Sequence, residues 1–390
     1  MHSSSAISSS AASVAPFLAM TIMERAQELE RAGADIVHLE VGEPDFDVPP
    51  AVRAAAAAAL SAGHTHYTHS LGLWSLREAI SGYYGTRYGV RVSPERILVT
   101  TGTSGGLALL MAVLLDSGDE VLLPNPGYAC YPNFVRAFHG TPRFFEINAE
   151  RGYQYDAARI SGEIGPRTRA LMVNSPANPT AAIQRRDTLE GLVSLPVPII
   201  SDEIYHGLEY GPTATSMLEV TDRCFVLDGF SKRYAMTGWR IGWLVAPEEY
   251  VPTLQRLQQN LFICPPSVAQ HAGLAALKDA DDDVARMLAA YRERRDVLVN
   301  GLRRLGFGIP AEPMGAYYLL ADARHLDQDS VRLARRLLEE AHVGVAPGVD
   351  FGTAAEGHLR FSFASGLERI QEGLRRLERW LAECGRFQTG

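Results

Sequence analysis

The stretch DGFSKRYAMTGWRIGW, Asp228 to Trp243, decides how this 390-residue chain is read. It holds Lys232, one of two lysines against 35 arginines; the other is Lys278. Arginine carries the positive charge of this protein, so a lysine needs a local reason. Lys278 sits in ALKDADDD, the acidic end of an expected helix, where a solvated ammonium suffices. Lys232 lies between two apolar runs, CFVLDGF and IGWLVA. An ammonium between buried strands is costly unless it is paired or neutral. Lysine, unlike arginine, can shed its proton and attack a carbonyl as a neutral amine. Read locally, Lys232 could also be a strand-end lysine with its head in water. Arg240, eight residues on, offers the fixed fork of donors that suits a phosphate.

Outward from this stretch, short apolar runs alternate with helical stretches. The expected strands are ILVT (97–100), EVLLP (120–124), RFFEI (143–147), ALMVNS (170–175), PIISDE (198–203), CFVLDG (224–229) and IGWLVA (241–246). Such β-branched runs predict an α/β fold: a mostly parallel seven-stranded sheet with helices on both faces. Ligands of these sheets bind beyond the carboxyl ends of the strands. The residues found there carry chemistry. ILVT runs into TGTSGG, a glycine-rich turn into a helix, whose free N–H groups can cradle phosphate. EVLLP runs into NPGYACY, ALMVNS into NSPANPT, and PIISDE ends on Asp202. A carboxylate closing an apolar run needs a cationic partner. Asp202 could also cap the next helix.

SKRYAMTGWRIGW resembles the Schiff-base segment of fold-type I pyridoxal-phosphate enzymes, specifically the class I/II aminotransferases. The resemblance covers nearly the whole chain after about residue 20. It implies pyridoxal 5′-phosphate as cofactor, with Lys232 on its aldehyde, Ser231 beside it and Arg240 on its phosphate. It implies a phosphate cradle at Gly102, Thr103 and Ser104, and Tyr128 stacked on the ring. Asn178 and Tyr205 would bond the phenolic oxygen, and Asp202 the ring nitrogen. Tyr67, in HTHYTHSLGLWSLREAI, matches the tyrosine that reaches the other subunit's phosphate, which implies a homodimer with shared sites. Arg360 in HLRFSFA matches the arginine that holds the substrate carboxylate, beside Asn178. Gly42 in GEPDF lies on the segment that crosses the entrance. The sequence departs from the family pattern twice. Gly229 stands where a phosphate-binding serine is common, and Ala181 where glycine usually follows the NPT turn. That turn must then avoid a positive φ or bear strain.

The activity so implied is amino transfer from an L-amino acid to a 2-oxo acid by a ping-pong route, with Lys232, Asp202 and Tyr205 in the catalytic centre. β-Elimination from a sulfur-containing amino acid is the alternative on the same scaffold, since fold does not fix the reaction. A non-catalytic effector-binding module is disfavoured, because no winged-helix region or basic face accompanies these motifs. PFLAMTIM, Pro16 to Met23, is apolar and would line the side-chain end of the pocket. With Lys232 occupied and no other lysine near, a neutral or apolar amino acid is the expected donor; 2-oxoglutarate as acceptor follows from the resemblance alone.

Composition bounds the rest. Hydrophobic residues are 46% and charged residues 21%, as in ordinary soluble proteins. A net charge of −8 without a basic block excludes nucleic acid as a partner. No run approaches the roughly 20 apolar residues of a membrane helix. The four cysteines show neither zinc nor redox spacing, which fits a reduced, cytoplasmic setting. His64, His66 and His69 lack an acidic cluster, so no metal is expected. The serine- and alanine-rich start lacks the features of a secretory signal and reads as a flexible tail, 1–20. Residues 21–48 then join a smaller α+β domain, 286–390, and 49–285 form the large cofactor domain. A helix is expected from Ile22 to Ala32, and FGIPAEPMGAYYLLAD reads as a strand pair.

Overall fold

The structure, a computed structural model, describes residues 7–384. In chain order its strands are β1 (Val37–His38), β2 (Ile97–Thr100), β3 (Glu120–Asn125), β4 (Thr141–Glu146), β5 (Thr168–Asn174), β6 (Ile199–Asp202), β7 (Cys224–Gly229), β8 (Gly242–Val245), β9 (Tyr318–Asp322), β10 (Val343–Gly344), β11 (Ala346–Pro347) and β12 (His358–Ser362). Strands β2 to β8 form one seven-stranded sheet, in the order β2-β8-β7-β6-β5-β3-β4. They are the seven runs expected from sequence, with ends moved by at most two residues. β8 runs antiparallel to β2 and β7, and the other pairings are parallel.

Both faces of this sheet are covered. Leu98, Leu123, Met172, Ile200, Leu227 and Leu244 face one apolar layer, which includes the helix Gly102–Leu114. Their neighbours Val99, Leu122, Leu171, Ile199, Val226 and Val245 face the other. Side chains alternate along a strand, so burying both faces requires the unbroken apolar runs seen in the sequence. Each such side chain contributes roughly 1.5–3 kcal/mol by leaving water.

The carboxyl-terminal part packs beside this sheet. β11, β12 and β9 form an antiparallel sheet, and β1 pairs parallel with β10. The amino-terminal segment is thereby fastened to residues more than three hundred positions away. Of the expected strand pair at 307–322, only β9 is a strand; Gly308 makes a single bridge to Asp322. The boundary drawn at 285/286 falls inside a continuous helix, Asp281–Arg304, whose first turn carries Asp281, Asp282 and Asp283. Acidic residues suit a helix amino terminus, and they mark this start in the sequence.

The expected flexible tail is corrected at its far end. The helix expected from Ile22 begins at Leu18 and runs to Arg31. Phe17, at its cap position, has no side chain to offer the free N–H groups. Asp350 supplies the cap: Leu18 N donates to Oδ1 at 3.0 Å and Ala19 N to Oδ2 at 2.9 Å. Just before, the Asn133 side chain accepts from Ala15 N and donates to Ala15 O, both at 3.0 Å. Residues 1–6 of that expected tail lie outside the described residues. No helix among the described residues is long and apolar enough to cross a membrane.

Candidate active site

The parallel strands end at one edge of the sheet, and a cavity of about 180 Å³ opens there. β8 is reversed, so its amino end reaches the same edge. Lys232 follows β7, Asp202 closes β6, Asn178 follows β5, Tyr128 follows β3 and Thr103 follows β2. All five line the cavity, together with Ser104, Tyr205, Gly42 and Arg360.

Lys232 is held between the layers. Its Nζ donates to the Gly42 carbonyl at 2.9 Å, and the Tyr317 hydroxyl donates to the same oxygen at 3.0 Å. Burial pulls the Lys232 amine down to about 8, and the nearby Arg240 and Arg360 act in the same direction against Glu43. The Gly42 loop is fixed by Asp45, which accepts both arms of the buried Arg294 guanidinium at 2.6 and 3.0 Å. A Cβ on Gly42 would stand 1.7 Å from the Tyr318 hydroxyl, so only glycine lets this backbone pass.

Asp202 is buried. Its Oδ2 accepts from the Tyr131 hydroxyl at 2.7 Å and its Oδ1 from Ile204 N at 3.3 Å. Asn174 donates to the Asp202 carbonyl at 2.9 Å and accepts from Asn178 N at 2.9 Å, tying the ends of β5 and β6 together. Burial drives the Asp202 carboxyl up to about 6, against the pull of Tyr131. The Tyr205 hydroxyl bonds that of Tyr318 at 2.9 Å. Tyr128 stands edge-on to Tyr131 at 5.1 Å and to Phe17 at 6.1 Å.

Arg360 is fully enclosed. It donates to Asn178 Oδ1 at 3.0 Å and to the Glu40 carbonyl, and its guanidinium lies over the Tyr318 ring, 4.3 Å from the centroid. Its Nε is buried without a hydrogen-bond partner, and among the described residues it forms no ion pair. A buried guanidinium in this state is arranged for an anion.

Gly102, Ser231, Arg240 and Tyr67 do not line the cavity. Gly102 and Arg240 nonetheless adjoin it together. Gly102 has φ +70°, and a Cβ there would meet the Arg240 guanidinium at 2.9 Å. The first turn of helix Gly102–Leu114 has no side-chain cap, so its N–H groups are open to a ligand, and the Arg240 guanidinium stands beside Gly102 at its start. Ser231 is buried. Tyr67 is 82% exposed.

The first departure has a physical reason and the second a physical cost. Gly229 pairs with Gly242 across β7 and β8, and a Cβ on Gly229 would lie 2.9 Å from the Gly242 Cα. Serine does not fit there without moving a strand. Ala181 adopts φ +56°, so the turn bears the strain. It is held by Met314 N and Gly315 N, which donate to its carbonyl at 3.0 and 3.1 Å. Tyr131, Asn174, Tyr317 and Tyr318 were not anticipated. Only Asn174 was signalled in principle, being a polar group at the end of a buried strand.

The sequence model of aminotransferase class I and II matches residues 34–377. The chain belongs to this family. The enzyme is 39% identical over 378 residues to the valine–pyruvate aminotransferase of Mycobacterium tuberculosis, covering 95% of this chain and 97% of that one. It is 36% identical over 369 residues to the (5-formylfuran-3-yl)methyl phosphate transaminase of Methanocaldococcus jannaschii, covering 94% and 96%. Among solved structures, the aspartate aminotransferase from Thermus thermophilus with maleate superposes with a TM-score of 0.92 at 38% identity, over 96% of this chain and 99% of that one. These relatives make the enzyme an aminotransferase and remove the lyase alternative.

Proposed function

We propose that the cavity holds pyridoxal 5′-phosphate on Lys232 and passes amino groups from neutral L-amino acids to 2-oxo acids. The family uses this cofactor, and the donor set fits it at three separated points. The Gly102 turn and Arg240 suit a phosphate, the lowered amine of Lys232 suits an aldehyde, and buried Asp202 suits a protonated ring nitrogen. Bound there, the cofactor supplies an electron-withdrawing ring and a carbonyl that takes up the amino group in one half-reaction and releases it in the next.

Each remaining task falls to a residue of the chain. Arg360 binds the substrate carboxylate with its fork and so orients the α-carbon toward Lys232. The Lys232 amine takes the proton from that α-carbon; an amine near 8 is poised for such transfer at neutral pH. Asp202 keeps a proton on the ring nitrogen, while Asn178 and Tyr205 serve the phenolic oxygen. Phe17, Met20 and Tyr128 close the side-chain end and exclude water. Tyr67 serves the neighbouring subunit's phosphate in a homodimer, in the cytoplasm.

The observation that carries the substrate class is the cavity's charge. Among the residues lining it, Lys232 and Arg360 are the only lysine or arginine side chains, and both have assigned partners. A side-chain carboxylate would face Phe17, Ala19, Met20, Leu107 and Tyr128 instead. The deciding experiment measures kcat/KM in the half-reaction for aspartate, alanine, leucine, methionine and phenylalanine. A neutral donor leads by tenfold or more, about 1.4 kcal/mol in transition-state binding. Aspartate leading by that margin would mean an arginine from elsewhere enters the pocket, and the reading fails.

A further inference from the structure

We infer that Tyr131 is a positioning residue that holds Asp202 as an anion toward the cofactor's ring nitrogen. The inference rests on the cofactor reading above and names a residue that reading does not use. Tyr131 opens the helix Tyr131–Ala137, just past the end of β3. Its ring crosses the end of β5 to reach the end of β6, where its hydroxyl donates to Asp202 Oδ2 at 2.7 Å. The contact is buried on both sides. The ring is confined, because it is buried, stands edge-on to Tyr128 and belongs to the same apolar cluster as Leu107, Leu123, Met172 and Ile200.

The other holds on Asp202 are weaker or indirect. Ile204 N reaches Oδ1 at 3.3 Å, and Asn174 holds the backbone carbonyl rather than the carboxylate. No lysine or arginine forms an ion pair with Asp202 among the described residues; Lys232 acts on it only at longer range. Tyr131 is thus the shortest donor to a carboxylate that burial would otherwise drive toward its neutral form. A donor to the charged form stabilises it. Without the hydroxyl, Asp202 becomes a stronger base and competes with the ring nitrogen for the shared proton. The ring then withdraws electrons less well, and removal of the substrate α-proton slows. A packing role alone would need the ring and not the oxygen, so phenylalanine separates the two.

The test is Tyr131→Phe in the holoenzyme, loaded with pyridoxal 5′-phosphate labelled with ¹⁵N in the ring. The ring-nitrogen signal moves toward that of a neutral pyridine. The rate constant for α-proton removal falls roughly 10- to 100-fold, as expected for losing a hydrogen bond to a charged group. An unchanged nitrogen signal with a rate within threefold of the parent would overturn the inference and leave Tyr131 as core packing. Asp202→Asn, measured alongside, keeps the two readings apart. If it also leaves the nitrogen signal unchanged, the cofactor reading itself falls; if it shifts the signal while Tyr131→Phe does not, the role of Tyr131 alone is lost.

Discussion

Lys232 shows how far a single residue reports on its surroundings. Its Nζ has the Gly42 carbonyl as its hydrogen-bond partner, and the guanidinium groups of Arg240 and Arg360 bear on it by charge. Burial, the largest influence, brings the amine from 10.5 to about 8. The neutral amine is the nucleophile, and its share grows as pH rises through that value. Capture of pyridoxal 5′-phosphate by the apoprotein should therefore accelerate between about pH 7 and 9 and then level off, as followed by the visible absorbance. Acceleration that continues past pH 10 would mean that Lys232 behaves as an ordinary solvated lysine. Lys232→Ala should lose that visible band and nearly all turnover. This much was legible in the sequence, because a lysine among 35 arginines is chemically conspicuous. Tyr131 and Tyr318 were not, because a tyrosine among apolar residues reads as core until the partner of its hydroxyl is known. Their partners, Asp202 and Tyr205, lie 71 and 113 positions away.

At the scale of elements, the strands were legible and some helix starts were not. Buried strands leave unbroken apolar runs, a signal contained within each segment. The start of the helix Leu18–Arg31 left no local mark, because its cap, Asp350, comes from 332 positions away. The same segment carries a charge-dependent joint. His38, on β1, bonds Glu40 through Nδ1 at 2.6 Å and Glu30 through Nε2 at 3.0 Å. Both ring nitrogens face carboxylates, which favours the imidazolium, and Glu40 above all raises its pKa from 6.5 to about 9. A raised folded-state pKa gives stability that is fully present below about pH 6.5 and is lost as pH rises through about 9. His38→Gln should then be less stable than the parent at pH 6 and nearly equal to it at pH 10, in urea unfolding. A gap that stays constant across that range would show that the imidazole packs without titrating.

The whole molecule leaves one surface unexplained by its own contacts. Segment 64–74 lies against 261–271: Thr68 N donates to Cys264 Sγ at 3.4 Å, Leu73 N to Gln270 Oε1 at 2.7 Å, and His64 stacks on His271 at 4.5 Å. Tyr67, Trp74, Leu261 and Ile263 stand exposed there. Apolar side chains gathered on one surface mark a contact between proteins, and a second copy of this chain is the partner that would bring Tyr67 to a phosphate. If so, each site takes Lys232 from one subunit and Tyr67 from the other. Tyr67→Ala should weaken cofactor affinity by tenfold or more. A hybrid of Lys232→Ala and Tyr67→Ala chains should regain one site with parental affinity per dimer. Hybrids without such a site would place Tyr67 outside the cofactor's reach.

The pairing of β1 with β10 also fixes an order of events. Val37 faces Val343, roughly 300 residues later, so the amino-terminal segment waits for most of the chain to be made. By the time the ribosome has passed Arg240, the cavity-lining residues after β2, β3, β5, β6 and β7 have all been made. The Gly42 loop and Arg360 are seated only at the end, when β12 joins β9 and β11. On the proposed reading, the residues meant for the cofactor are thus made before those meant for the substrate carboxylate are seated. The wall of the cavity that carries Arg360 is therefore completed only when synthesis is nearly finished.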